Sequence, residues 1–130
     1  MSGNRRILIV DHNAADRDWL KACLVQVGYD VELALDNQDV LEKARSYQPN
    51  IILLDVMMPG LSSFDVCRRL KDNPQLSKVM VLILTPLTEL GAVQRGIDAG
   101  TDDFLSKPLN KRELLERIES ILDLSDAISK

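Results

Sequence analysis

Two aspartates, a threonine and a lysine in this chain each follow a short, largely apolar run: Asp11 after Ile7-Leu8-Ile9-Val10, Asp55 after Ile51-Ile52-Leu53-Leu54, Thr85 after Val81-Leu82-Ile83-Leu84, and Lys107 after Phe104-Leu105-Ser106. His12 comes directly after Asp11, and Pro108 directly after Lys107. Such runs read as strands, and in an open parallel sheet ligands bind just beyond the strands' carboxyl ends. Two carboxylates, a hydroxyl, an imidazole and an ammonium would then share one rim. This set suits a hard divalent cation together with a tetrahedral oxyanion. The carboxylates supply oxygen ligands to Mg2+, while the lysine and hydroxyl neutralise and hydrogen-bond the oxygens of a transferring phosphoryl group. One carboxylate would be the nucleophile, forming an acyl phosphate.

The elements that must place these groups alternate along the chain. Strands are expected at Arg6 to Val10, Val31 to Ala34, Ile51 to Leu54, Met80 to Leu84 and Phe104 to Ser106. Segments of helical period lie between and after them, near Ala14 to Val27, Gln38 to Tyr47, Ser63 to Lys71, Glu89 to Ala99 and Lys111 to Leu124. Gly28 and Gly100 follow the first and fourth helices as stop signals, Asn73-Pro74 closes the third, and Asn13 with Asp16 and Asn110 with Glu113 form capping pairs. Three strands are apolar on successive residues, so both of their faces must be covered. Repeated βα units with right-handed crossovers give an α/β fold, a doubly wound five-stranded parallel sheet of flavodoxin-like order 2-1-3-4-5. Gly91 and Gly96 each cost roughly 0.5–1 kcal/mol inside a helix, which marks the fourth helix as weakly held.

Composition limits the alternatives. The chain has 130 residues, 16 Lys and Arg against 20 Asp and Glu, a net charge of −4, 45% hydrophobic and 28% charged residues. One domain over residues 1–130 is expected, with a core from about residue 5 to 124 and a frayed tail after it. A pI near 4.9 opposes direct nucleic-acid or membrane-surface binding, which needs a basic face. Cys23 and Cys67 stand among apolar neighbours and read as buried free thiols. No signal peptide is expected, because Asp11 cuts the first apolar run, and the longest such run, Val79 to Leu84, is too short to span a bilayer. A cytoplasmic location follows as an expectation.

Over nearly its whole length, from about Arg5 to Leu124, the chain resembles the receiver domain of two-component response regulators. The resemblance rests on Ile7 to Asp11, Ile52 to Gly60, Ala99 to Pro108 and Thr85, with the spacings from Asp55 to Thr85 and to Lys107. It implies that Asp55 is the phosphoacceptor, charged by a histidine kinase or phosphotransfer protein, and that Mg2+ is the cofactor. Asp11 matches an acidic metal ligand and the Met57 carbonyl a backbone one, with Asp55 completing the set. Thr85 and Lys107 match the residues that grip the phosphoryl oxygens, and Phe104 the aromatic that moves inward with Thr85. The face made by the fourth helix, fifth strand and fifth helix would meet a downstream protein or a second copy. The Lys107-Pro108 bond is usually cis in the family.

Three positions depart from the family pattern. Where a second acidic residue normally follows the first strand, this chain has His12. Imidazole is a poor ligand for Mg2+, so weakened Mg2+ affinity is expected. Taken alone, His12 reads as a structural or solvent-facing histidine rather than a ligand; protonated, it could instead offset the charge of Asp55. Pro86 replaces the small residue whose backbone N–H reaches the phosphoryl group, and proline has no N–H. Leu61-Ser62-Ser63 stands where an Asp-Gly turn is common.

Two functions remain open: a phosphorylation-controlled receiver that switches a partner surface, and a degenerate receiver that binds partners independently of phosphorylation, for which His12 and Pro86 argue. A phosphatase of the haloacid dehalogenase type is set aside, because Asp11-His12-Asn13 lacks its Asp-x-Asp motif and Asp102-Asp103 precede Lys107. The chain is expected to act alone through protein contacts or as a piece of a larger regulator or hybrid kinase.

Overall fold

The computed structural model describes residues 5–58, 62–86 and 91–129. Its elements are β1 (Arg6–Val10), α1 (Ala14–Gln26), β2 (Asp30–Ala34), α2 (Asn37–Tyr47), β3 (Ile51–Asp55), α3 (Ser63–Asp72), β4 (Met80–Pro86), α4 (Ala92–Ala99), β5 (Asp103–Lys107) and α5 (Lys111–Ser129). The strands form a five-stranded sheet in the order β2-β1-β3-β4-β5, and every neighbouring pair runs parallel.

Side-chain alternation explains the two-sided sheet. In β1, Leu8 and Val10 join one core cluster while Ile7 and Ile9 join the other. The same split separates Ile52 and Leu54 from Ile51 and Leu53 in β3, and Val81 and Ile83 from Leu82 and Leu84 in β4. Successive residues of a strand point to opposite faces, so a strand apolar at every position needs a helical layer on each side. Val40, Val66 and Ala92 of α2, α3 and α4 cover one face; Leu20, Leu24, Leu114 and Ile118 of α1 and α5 cover the other. Truncating a fully buried residue such as Leu53 to Ala would cost about 2–5 kcal/mol.

The caps stand where the sequence places them. Asn13 Oδ1 accepts the Asp16 N–H at 2.9 Å, and Asn110 Oδ1 accepts the Glu113 N–H at 3.0 Å. Gly100, with φ 90°, ends α4 in the left-handed conformation that glycine adopts without a Cβ penalty. Gly91 differs from the expectation: at φ 78° it is the N-cap of α4 and lies outside the helix, so only Gly96 is an interior glycine. The expected start of this helix at Glu89 falls among residues 87–90, outside the described residues. A second difference lies at the other end, where α5 continues past the expected Leu124 through Ser129; Arg5 forms an ion pair with Asp126 there. Cys23 and Cys67 are buried free thiols, and Lys107-Pro108 is cis. Among the described residues no helix is long and apolar enough to cross a membrane.

Candidate functional site

Asp11 directly follows β1, Asp55 is the last residue of β3, Thr85 is next to last in β4 and Lys107 ends β5. Register explains their meeting. Val10 is level with Leu54, Asp55 with Leu84, and Pro86 with Lys107, so these residues reach one edge of the sheet together.

Asp11 and Asp55 are fully buried. Lys107 Nζ reaches between them, 2.9 Å from Asp11 Oδ2 and 3.5 Å from Asp55 Oδ2. It also donates to Asp16 Oδ2 at 2.9 Å, a contact that the strand-end pattern does not contain. The signal available was weak: Asp16 reads as an N-terminal cap partner, and its backbone does serve that role while its carboxylate turns toward the lysine. His12 Nδ1 lies 2.8 Å from Asp55 Oδ2 and 4.0 Å from Asp11 Oδ1. A purely solvent-facing His12 is therefore corrected: the residue is exposed at its edge, but its ring nitrogen is held on the central carboxylate.

The remaining bonds fix the loops. The Asn13 N–H donates to Asp11 Oδ1 at 3.0 Å, and the Met57 N–H donates to Asp55 Oδ1 at 3.0 Å. The hydroxyl of Ser63 donates to the Asp55 backbone carbonyl at 2.6 Å and accepts from Asn37 Nδ2 at 3.0 Å. Ser62 caps α3, its hydroxyl accepting the Phe64 N–H. These serines come from the atypical Leu61-Ser62-Ser63 stretch, whose first residue lies outside the described residues. Thr85 is buried, and its hydroxyl donates to the Pro86 carbonyl at 3.2 Å rather than to Asp55. Phe104 is half-buried against the core cluster of α2, α3 and α4. A Cβ built on Gly96 would lie 2.6 and 2.7 Å from its ring carbons, so the missing side chain of Gly96 makes room for the ring.

The charges act on one another strongly. Burial pushes the Asp11 carboxyl above the ordinary carboxylate range; the Asn13 N–H and Lys107 oppose this, and the neighbouring Asp55 charge adds to it. Burial acts on Asp55 in the same sense, but there the Met57 N–H, Asp11, Lys107 and His12 together outweigh it and hold the carboxyl below its usual value. Lys107 loses solvation too, yet Asp16, Asp11 and Asp55 keep its pKa raised. The pocket thus presents an ionised, buried Asp55 beside a fixed ammonium. Asp11, His12 and Asp55 can direct one ligand atom each to positions within 4.8 Å of one another, a spacing able to hold one metal ion.

A family model described as the response regulator receiver domain matches residues 7–119. The chain belongs to this family. Among curated relatives, the receiver domain is 37% identical over 123 residues to the DNA-binding dual master transcriptional regulator RpaA of Synechocystis sp., covering 95% of this chain and 51% of that protein. It is 41% identical over 116 residues to the response regulator PleD of Caulobacter vibrioides, covering 89% of this chain and 26% of PleD. The chain therefore spans about half or less of these relatives. A solved CheY-like receiver domain from Methanospirillum hungatei JF-1 superposes with a TM-score of 0.89 at 29% identity, covering 96% of this chain and 98% of that one. Receiver domains are signalling domains of two-component systems rather than classical enzymes. They typically bind Mg2+ at an acidic pocket like the one formed here by Asp11, His12 and Asp55.

Proposed function

We propose that this receiver domain accepts a phosphoryl group on Asp55 from a histidine kinase or phosphotransfer protein and thereby switches a partner-binding surface. The observation that carries this reading is Asp55 itself, fully buried at the end of β3, held ionised, and approached on Oδ2 by Lys107 and His12. An Asp55 oxygen attacks the donor's phosphorus, a P–O bond forms, and the P–N bond to the donor imidazole breaks with its electron pair returning to that nitrogen. Lys107 exchanges its carboxylate contacts for a phosphoryl oxygen, where its charge counters the charge building in the transition state. Thr85 would leave the Pro86 carbonyl to bond another phosphoryl oxygen, and Phe104 would move with it.

Asp11, Asp55 and the Met57 carbonyl offer oxygen ligands that suit Mg2+, which when bound would neutralise phosphoryl charge. His12 does not suit it. An imidazole nitrogen replaces an anionic oxygen, so Mg2+ binding is expected to be weaker than in a receiver with an acidic pair. The switched surface is the face of α4, β5 and α5, where Val93 and Ile97 of α4 are more than half exposed; a downstream protein or a second copy would meet it. With a net charge of −4 over its 130 residues, the domain is not expected to touch nucleic acid, and a cytoplasmic setting fits the reading.

Two observations favour a second reading, a degenerate receiver that binds partners without phosphorylation: His12 already bonds Asp55 Oδ2, and Pro86 lacks an N–H. A small phosphodonor with Mg2+ separates the two. An intact-mass increase of one phosphoryl group, abolished by Asp55→Asn, supports the first reading. An unchanged mass supports the second.

A further inference from the structure

The donor set of the pocket is unusual in one respect that bears on its metal. Two ligands of one ion, each about 2.1 Å from it and at right angles, lie roughly 3.0 Å apart, and opposed ligands lie roughly 4.2 Å apart. His12 Nδ1 is 2.8 Å from Asp55 Oδ2 and 4.0 Å from Asp11 Oδ1. Both separations fall in the range that a single ion could bridge. The two carboxylates are fully buried, whereas the His12 side chain is 46% exposed, leaving the imidazole at the mouth of the pocket.

Mg2+ prefers a shell of oxygens and gives up water reluctantly. Imidazole suits first-row transition ions, whose affinity for a mixed nitrogen and oxygen set rises toward the later metals. We infer that this pocket prefers a nitrogen-accepting divalent transition ion to Mg2+, with His12 Nδ1 as a ligand beside Asp11 and Asp55. The inference rests on reading the pocket as the receiver's metal site, but not on phosphorylation occurring there.

The rest of the chain makes the inference testable. His12 is its single histidine, so any imidazole signal comes from this site. Soft-ligand competition is small: Cys67 is fully buried with its thiol pushed up to about 11, and Cys23 is buried as well.

The test uses tag-free protein, calorimetric titration with Zn2+, Co2+ and Mg2+, and NMR of the isotope-labelled imidazole. Stoichiometric Zn2+ should shift the Nδ1 resonance of His12. His12→Ala should weaken Zn2+ and Co2+ binding by roughly tenfold or more. His12→Asp, which supplies the missing oxygen, should strengthen Mg2+ binding by a similar factor and narrow the gap between the metals. The NMR arm needs no variant, so it survives if either substitution disturbs folding. An unmoved imidazole resonance under saturating Zn2+, or Mg2+ binding the unaltered chain as tightly as Zn2+ does, would overturn the inference. Acyl-phosphate formation is scored separately by intact mass, so failure of the metal preference and failure of the phosphoacceptor reading are distinguishable.

Discussion

Replacing Gly96 by Ala is a change that helix propensity alone predicts to be stabilising, by about 1 kcal/mol. The structure predicts the opposite. A Cβ at this position would meet two Phe104 ring carbons at 2.6 and 2.7 Å and the Ile83 Cδ1 at 3.3 Å. Over-packing a formed core costs about 1–3 kcal/mol, so after the propensity gain the variant should lose about 1 kcal/mol. Urea unfolding of four proteins tests this: the original chain, Gly96→Ala, Phe104→Ala and the double variant. With the ring removed only the 3.3 Å approach to Ile83 remains, and Gly96→Ala in that background should gain up to about 1 kcal/mol. Gly91→Ala is a useful contrast, because no described residue lies within 4 Å of its would-be Cβ and its cost, about 1 kcal/mol, is expected from the backbone at φ +78°. If Gly96→Ala stabilises the original chain, or changes stability equally in both backgrounds, Phe104 does not rest in the notch of α4 and the packing argument fails.

Lys107→Ala should destabilise the fold by about 2 kcal/mol at neutral pH, because two buried carboxylates lose their charged donor; denaturant midpoints measure it, and an unchanged midpoint would contradict it. Carboxyl-carbon NMR should find Asp11 titrating above its ordinary value and Asp55 below it. The signs for stability follow: the Asp55 contribution is complete above its unfolded pKa of about 3.9 and is lost as pH falls through the lower folded value, whereas the Asp11 contribution is complete below about 3.9 and is lost as pH rises through its higher folded value. Pro86→Ala restores a backbone N–H worth about 1.5–3 kcal/mol to a charged phosphoryl oxygen, so it should raise the yield or lifetime of the acyl phosphate in a mass-resolved time course.

Much of this architecture can be read from residue order because its causes are local. Strands apolar at every position, such as Ile51 to Leu54, demand two covering layers, and polar residues at Asn13 and Asn110 mark where helices begin. The rim cluster is legible for the same reason, since Asp11, Asp55, Thr85 and Lys107 come at the ends of strands whose direction the crossovers dictate. What stayed hidden depends on side-chain direction across elements. Asp16 meets Lys107 only because the long lysine side chain extends from the end of β5 across the strand ends to the start of α1, and a capping pattern gives no hint of it. His12 bonds Asp55 through a rotamer that residue type does not specify. Gly91 and Gly96 look alike in sequence, yet one caps α4 and the other receives a ring, a distinction that needs Phe104 in place.

The most direct test of the account is a crystal structure of the protein with a fluoroberyllate phosphoryl mimic. A tetrahedral group is expected on an Asp55 carboxylate oxygen, with Lys107 Nζ drawn to it from Asp11 and Asp16 and the Thr85 hydroxyl turned away from the Pro86 carbonyl. A bare Asp55 still bonded to His12, with Lys107 and Thr85 where they now stand, would contradict it.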